Sequence, residues 1–321
     1  QPQDREYMKQ ALALAEKGHG WVNPNPMVGA VLVKDGRIIG EGYHTRYGQL
    51  HAEREAFKNA AERGEETAGA DLYVTLEPCC HTGKQPPCTE AVLASGVKRV
   101  IVGCTDPNPV VAGRGIRLLR EKGLEVVAGV LRGECERQNE VFFHFMRTKL
   151  PFTVLKYAMT LDGKTATVSG KSQWITGEAA RKRVHEDRGR YMAILTGVST
   201  VLADNPQLTC RIPGGKNPIR VIADTKLRTP LSSTVVQTAR ETPTWIVTAV
   251  SDVGRKKAYE DAGCRVLSVP AKEGELDLQA MMQRLGEEKV DSVMVESGGT
   301  LAWSFLKAGL VNRVQAYIAP K

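Results

Sequence analysis

The chain has no uninterrupted apolar run near the roughly 20 residues that a membrane-spanning helix requires, so a helical membrane protein is excluded. Its first stretch, QPQDREYMKQALALAEKG, is polar and mixed in charge. It lacks the basic start and apolar core of a secretory signal, and we expect a cytoplasmic protein with no membrane partner. No block of five basic residues occurs, which argues against a nucleic-acid stripe despite a net charge of +8. There is no G-x-G-x-x-G after a strand, so the standard dinucleotide fingerprint is absent. Internal repeats and low-complexity tracts are also missing. The seven cysteines are an odd number, and Cys104, Cys135, Cys210 and Cys264 lie singly. A disulfide framework is therefore not expected.

What is there suits two α/β domains. A chain of 321 residues exceeds one ordinary core and fits two units of about 150 residues. Residues 1–150 carry 20 Lys and Arg against 19 Asp and Glu, a balance of +1, and residues 151–321 carry 24 against 17, a balance of +7. The excess in the second half fits scattered surface charge plus a site for anionic small molecules. In the first half, helical spacing over 4–17 precedes strands around a DG turn, a helix over 51–63, and then alternating strands and helices. A hairpin followed by such alternation predicts a layered α/β domain with a mixed sheet. The segment RQNEVFFHFMRTK reads as one basic helix leading to Pro151. We place the boundary at 147/148, giving domains 1–147 and 148–321. The second half shows strands at YMAILTG, PIRVIAD, PTWIVTA, RVLSVP, VDSVMVE and RVQAYIAP, with helices at DLQAMMQRLGEE and LAWSFLKAGL. The sequence stops at Lys321 at the end of a strand, and we expect the natural protein to continue.

Residues 77–88, EPCCHTGKQPPC, could be a disulfide staple, a redox pair, a metal site or a turn. Upstream, His51-Ala52-Glu53 opens a helix. Positions two apart share no helix face, so both side chains reach one point only off the helix's N-terminal end. Cys88 opens the next helix, where the dipole favours a thiolate. One imidazole and two thiolates leave the fourth position of a tetrahedral zinc open for water, the catalytic pattern rather than the structural one. Zinc brings the pKa of such water to about 7, and Glu53 is placed to shuttle its proton. On spacing alone, either Cys79 or Cys80 could be the first thiolate.

H-x-E followed by P-C and a later Cys is the pattern of zinc nucleobase deaminases, which place two residues between the cysteines. Here eight separate Cys79 from Cys88. That longer loop, with Asn23-Pro24-Asn25-Pro26, Val28-Gly29, GEGYH at 40–44 and DPNPVVAGRG at 106–115, resembles the deaminase half of the bifunctional riboflavin-biosynthesis deaminase/reductase family. The resemblance implies a cytidine-deaminase-like three-layer domain with His51, Cys79 and Cys88 as ligands of one zinc ion and Glu53 as the catalytic acid and base. It leaves Cys80 as a loop residue and makes Asn23 and His44 substrate contacts.

In the second half, LKYAMTLDGKTA at 155–166, SGKSQWITG at 169–177 and TGVSTVLADNPQLTCR at 196–211 resemble the reductase half of the same family, an α/β domain similar to dihydrofolate reductase. The resemblance implies that Ala158, Trp174, Thr200, Asp204 and the turn Gly298-Gly299-Thr300 contact NADPH. Glycines there let backbone amides approach a phosphate at a helix start. Ser172, Arg188, Leu208, Arg211 and Glu296 would contact a sugar phosphate, the two arginines forking onto the phosphate group. Lys156 and Asp204 are candidates for orienting or protonating the sugar. The expected substrates are pyrimidine ribose phosphates, without nucleic acid, in a homo-oligomer. Two rivals are a deaminase of tRNA or single-stranded DNA, and a protein in which zinc merely braces a fold. The first predicts a basic, aromatic surface at the zinc site, against which the first half is nearly neutral. The second predicts a closed four-ligand metal.

Overall fold

In a computed structural model of the chain, residues 2–82, 86–108, 112–169 and 174–320 are described. The chain divides into two compact units, Gln1–Thr148 and Lys149–Lys321.

The first unit runs α1 (Pro2–Glu16), β1 (Gly29–Lys34), β2 (Arg37–Tyr43), α2 (Ala52–Glu62), β3 (Asp71–Leu76), α3 (Cys88–Ala94), β4 (Arg99–Cys104), α4 (Arg114–Glu121), β5 (Glu125–Ala128), α5 (Arg132–Gln138) and α6 (Glu140–Thr148). The sheet order is β2-β1-β3-β4-β5. β1 lies antiparallel to β2 and β3, while β3, β4 and β5 are parallel, so the sheet is mixed. The hairpin turns at Asp35 and Gly36, both at positive φ (51° and 74°), the pairing that suits a two-residue turn. Alternation along the strands divides the side chains between two cores. Ala30, Leu32, Leu72, Val74, Val100 and Val102 pack with Ala52, Ala56 and Ala60 of α2 and Ile116 and Leu119 of α4. Val31, Tyr73 and Ile101 pack with Met8 and Ala11 of α1, Cys135 of α5 and Phe142 and Phe143 of α6. Three layers result, with helices on both faces of the sheet.

The segment read as one helix from Arg137 is two. Asn139, 2% exposed, lies between α5 and α6, where its side chain accepts from the Met27 N–H and donates to the Met27 carbonyl, both at 2.8 Å. That pair of bonds ties the end of the NPNP loop to the back layer.

The second unit runs β6 (Phe152–Thr160), α7 (Glu178–Arg190), β7 (Ala193–Gly197), α8 (Val198–Asp204), β8 (Ile219–Ala223), α9 (Thr234–Gln237), β9 (Thr244–Thr248), α10 (Val253–Asp261), β10 (Arg265–Ser268), a short hairpin of β11 (Ala271–Lys272) and β12 (Glu275–Leu276), α11 (Leu278–Glu287), β13 (Ser292–Glu296), α12 (Gly299–Lys307) and β14 (Arg313–Ala319). The order β10-β9-β8-β7-β13-β6-β14 is parallel at every pairing. Met281, Met282, Leu285 and Phe305 of α11 and α12 fill one face. Val201, Val235, Val236 and Tyr259 of α8, α9 and α10 fill the other. α8 and α10 carry too little apolar periodicity to be read from sequence. α10 buries only Tyr259 and is started by Asp252, whose side chain accepts from the Arg255 N–H.

Candidate active sites

In the first unit the site forms where α2, α3 and the carboxyl end of β3 meet. Glycines bring α2 close to the sheet: a Cβ at Gly42 would lie 2.3 Å from Ala56 N and 2.5 Å from the Ala52 carbonyl, distances that no side chain tolerates. The GEGYH motif is thus a packing requirement, and it holds the start of α2 beside the end of β3. His51 is the N-cap of α2 in extended conformation, and Glu53 follows in the first turn.

The Cys79 and Cys88 sulfurs lie 3.6 Å and 3.3 Å from His51 Nδ1, and the three ligand atoms all fall within 4.8 Å of one another. A tetrahedral zinc with Zn–S about 2.3 Å and Zn–N about 2.05 Å separates sulfur from nitrogen by about 3.6 Å. The residues therefore fit the ion by distance and by donor type. Of the two sulfurs, Cys79 is the more acidic. A hydrogen bond from the Cys88 thiol, helped by His51 and by the Cys88 backbone N–H at 3.3 Å, outweighs burial and brings it down to about 4. Cys88 is pushed up instead, by its bond to Cys79 and by burial beside Glu53. The Cys88 backbone N–H at the start of α3 donates to the Cys79 sulfur, and a bound zinc would take both sulfurs as thiolates. Glu53 is 3% exposed, and burial followed by the negative Cys79 raises its pKa, which suits a proton carrier.

His44 is 2% exposed, with Nε2 3.1 Å from Asn25 Nδ2 and Nδ1 2.9 Å from the Leu50 carbonyl. Burial lowers its pKa, so the ring is neutral, donating from Nδ1 and accepting at Nε2. It meets the His51 ring edge-on, centroids 5.3 Å apart. Asn23 is half-buried in the same loop.

Two further residues shape this site. Arg54 donates to the carbonyls of Pro86 (3.3 Å) and Pro87 (3.0 Å), pinning the entry to Cys88. Glu77, directly before Pro78-Cys79, is buried and accepts three backbone N–H bonds, from Asp106 (3.2 Å), Gly113 (2.8 Å) and Ile116 (3.1 Å). A Cβ at Gly115 would lie 2.1 Å from the Pro78 carbonyl, so the start of α4 rests directly on the cysteine loop. Burial, with Glu77 nearby, lifts Asp106 to about 6.

In the second unit the chain order reverses where β13 inserts between β7 and β6. At such a switch point, a crevice opens beyond the carboxyl ends of parallel strands. β7 and β13 pair directly, Leu195 opposite Val295, and each is followed at once by a helix, α8 and α12. Gly197 lies 3.3 Å, measured from its would-be Cβ, from Leu301. Thr200 and Asp204 stand on α8, half-buried and exposed respectively, and Gly298 to Thr300 start α12 with their faces exposed. Ala158 is half-buried near the end of β6. Trp174 is 61% exposed, with the Arg181 guanidinium 4.7 Å over its ring.

Glu296 ends β13 opposite Lys156 of β6. Its carboxylate takes Arg188 Nε at 2.7 Å and Nη2 at 3.0 Å, and Lys156 Nζ at 3.4 Å. Burial pushes Glu296 up, but Arg188 and Lys156 more than offset it and hold the group ionised below the usual carboxylate range. Arg188 also donates from Nη1 to the Thr209 carbonyl at 3.1 Å. Leu208 turns its side chain into the core at φ 54°, and Arg211 is exposed. Ser172 lies outside the described residues, as do residues 109–111 of the DPNPVVAGRG stretch.

Residues 1–104 match the zinc-binding region of cytidine and deoxycytidylate deaminases, and residues 151–321 match the RibD C-terminal domain. The riboflavin biosynthesis protein RibD of Actinobacillus pleuropneumoniae is 51% identical over 318 residues, covering 99% of this chain and 84% of that one. That of Escherichia coli is 43% identical over 332 residues, covering 99% and 88%. The chain belongs to the RibD family. It is a bifunctional enzyme of riboflavin biosynthesis, a deaminase and a reductase, with zinc and NADPH as cofactors. A solved deaminase/reductase of Thermotoga maritima superposes with a TM-score of 0.88 at 42% identity, covering 100% of this chain and 87% of that one. RibD of Acinetobacter baumannii gives 0.88 at 38% identity.

Within this RibD-family chain, two residues expected to bind the sugar phosphate, Arg188 and Glu296, bind each other, while Arg211 stands apart from both. Asn25, Arg54, Glu77 and Asn139 were not singled out from sequence. Asn25 sits in the NPNP motif and Glu77 in EPCC, so the motifs pointed at them. For Arg54 and Asn139 no sequence signal existed.

Proposed function

We propose that residues 1–147 hydrolytically deaminate 2,5-diamino-6-ribosylamino-4(3H)-pyrimidinone 5′-phosphate and that residues 148–321 then reduce the ribosyl group of the product to ribityl. The observation that carries the first half is the convergence of His51 Nδ1 and the Cys79 and Cys88 sulfurs beside the buried Glu53 carboxyl. Zinc held by those three residues supplies a Lewis acid that makes water nucleophilic near neutral pH. Glu53 accepts the proton of that water and passes it to the ring nitrogen, then takes a second proton from the hydroxyl added to the carbon and delivers it to the amino group, which departs as ammonia. His44, fixed from both sides, packs on His51, and Asn23 binds substrate.

For the second half, NADPH supplies the hydride that reaches the sugar's C1′. Its binding by Ala158, Trp174, Thr200, Asp204 and residues 298–300 is supported by the position of Ala158 near the end of β6 and of α8 and α12 after the ends of β7 and β13. Lys156 and Asp204 orient or protonate the opening sugar, and Ser172, Arg188, Leu208, Arg211 and Glu296 form its binding surface. Arg188 does so as a partner of Glu296, whose carboxylate also takes Lys156. The near-neutral first half supports small-molecule substrates over nucleic acid. Among the described residues no helix is long and apolar enough to cross a membrane. A cytoplasmic homo-oligomer is part of the proposal.

The test supplies the diaminopyrimidine phosphate with and without NADPH while ammonia and NADPH oxidation are followed separately. Ammonia release without NADPH, and oxidation only after its addition, is expected. NADPH oxidation preceding any ammonia would overturn the order.

A further inference from the structure

Glu77 is a buried carboxylate that takes no part in the deamination steps, yet one residue separates it from Cys79. It is 3% exposed, and its two oxygens accept from three backbone N–H groups: Oε1 from Ile116, and Oε2 from both Asp106 and Gly113. Two of those donors open α4, whose N-cap is Gly113 at φ 79°. The first N–H groups of a helix have no partner within it, and an N-cap side chain ordinarily accepts from the second or third helical position. A glycine has no such side chain. The first turn of α4 also carries no acidic residue and instead holds Arg114 and Arg117. Glu77, 39 residues before Ile116, supplies both the missing acceptor and the negative charge that a helix start favours.

Cys79 is thereby held from two sides. On one, its carbonyl accepts the Thr89 N–H at 3.1 Å and its sulfur the Cys88 N–H at 3.3 Å, both from the start of α3. On the other, the Glu77 N–H binds the Cys104 carbonyl at 3.0 Å while the Glu77 side chain binds the start of α4. Pro78, whose ring fixes φ, is the single residue between that anchor and Cys79. Gly115 lies directly against the Pro78 carbonyl, which leaves this short link no room to shift toward α4. Because Oε2 takes Asp106 and Gly113 together, the same carboxylate also closes the base of the segment between them.

We propose that Glu77 is a positioning residue of the zinc site: by capping α4 it fixes where the Cys79 sulfur stands, and so sets how long zinc is retained. A carboxylate suits the place because it offers two accepting oxygens to three donors. A glutamine has one oxygen, so its NH2 group would face at least one of the three N–H groups, donor against donor. The proposal rests on the reading of residues 1–147 as a zinc deaminase and uses no property of the substrate.

Glu77→Gln and Glu77→Asp are compared with wild type as full chains. Each is loaded with an equivalent of zinc, and zinc transfer to a chromogenic chelator is timed without substrate. Release about tenfold faster in Glu77→Gln is expected, at the lower end of the roughly 10–100-fold that losing the support of a metal ligand costs. Glu77→Asp keeps the carboxylate but draws it back by one bond, so its rate should fall between the two. Ammonia release by Glu77→Gln should drop at stoichiometric zinc and recover in part in excess zinc. A general loss of structure would leave it lost, and failure to recover overturns the proposal. A wild-type release rate in Glu77→Gln overturns it as well. Should Glu77→Gln not fold, Glu77→Asp decides: faster release with native circular dichroism upholds the role, and an unchanged rate overturns it. Faster zinc release upholds the role even if the wild type fails to deaminate the diaminopyrimidine phosphate, an outcome that would sink the functional reading alone.

Discussion

The two candidate sites are built in opposite ways. In the first unit the ligands come from two short segments, 51–53 and 79–88, and are fixed by main-chain contacts: Glu77 on the start of α4, Arg54 on the Pro86 and Pro87 carbonyls, Gly42 against α2. In the second unit, Lys156, Arg188 and Glu296 come from three separate elements and are held by side-chain charge, with Arg211 apart from them on a loop. A metal site tolerates sub-ångström error poorly, so rigid backbone suits it. A crevice that must admit two anions in turn is better served by ion pairs and exposed arginines at strand ends. The lesson is that damage to the first site should be all-or-none, and damage to the second graded.

Cys88→Ser is the most severe way to break the contrast. Zinc content by elemental analysis should fall to background and ammonia release with it, while NADPH oxidation on pre-deaminated substrate stays within about twofold. Retained zinc would mean that Cys88 is not a ligand. Next in size, Glu53→Gln should keep zinc while deamination drops by about 10²–10⁴-fold, the span of lost acid–base catalysis. Parallel loss of zinc would make Glu53 structural.

Glu296→Gln sharpens the comparison from the other side, because it strands Arg188 and Lys156 at a partly buried site. Breaking such a pair costs about 3–5 kcal/mol, to be read from denaturant unfolding of the full chain. The sign of its pH dependence follows from the depressed pKa. Stabilisation is complete above the unfolded carboxyl's value of about 4.3 and is lost as pH falls through the lower folded value. Wild type should therefore weaken in acid more steeply than Glu296→Gln. The last test is Gly115→Ala. Its methyl would lie 2.1 Å from the Pro78 carbonyl, so the cysteine loop must shift, and faster zinc loss to a chelator with reductase kinetics unaltered is expected.

Much of the first site was legible because its chemistry is written in residue types with few other uses. A His-x-Glu at a helix start and a Pro-framed pair of cysteines carry their meaning in spacing. The strands were legible from period-2 alternation, as at Val100–Val102, and the DG turn from its need for positive φ. Helices such as α10 escaped because they bury almost nothing and so leave no apolar stripe. The split at Asn139 escaped because its cause lies at Met27, over a hundred residues away.

By itself, the sequence determined the zinc ligand types, Glu53, the two-unit α/β plan and the family, since these rest on local composition and spacing. Only the tertiary structure decided that the Cys88 N–H faces the Cys79 sulfur and that Arg188 and Lys156 both pair with Glu296. Those outcomes depend on burial and on distances between segments that no local pattern encodes. Hydrogen-bond direction and charge balance exist only once the chain has closed on itself.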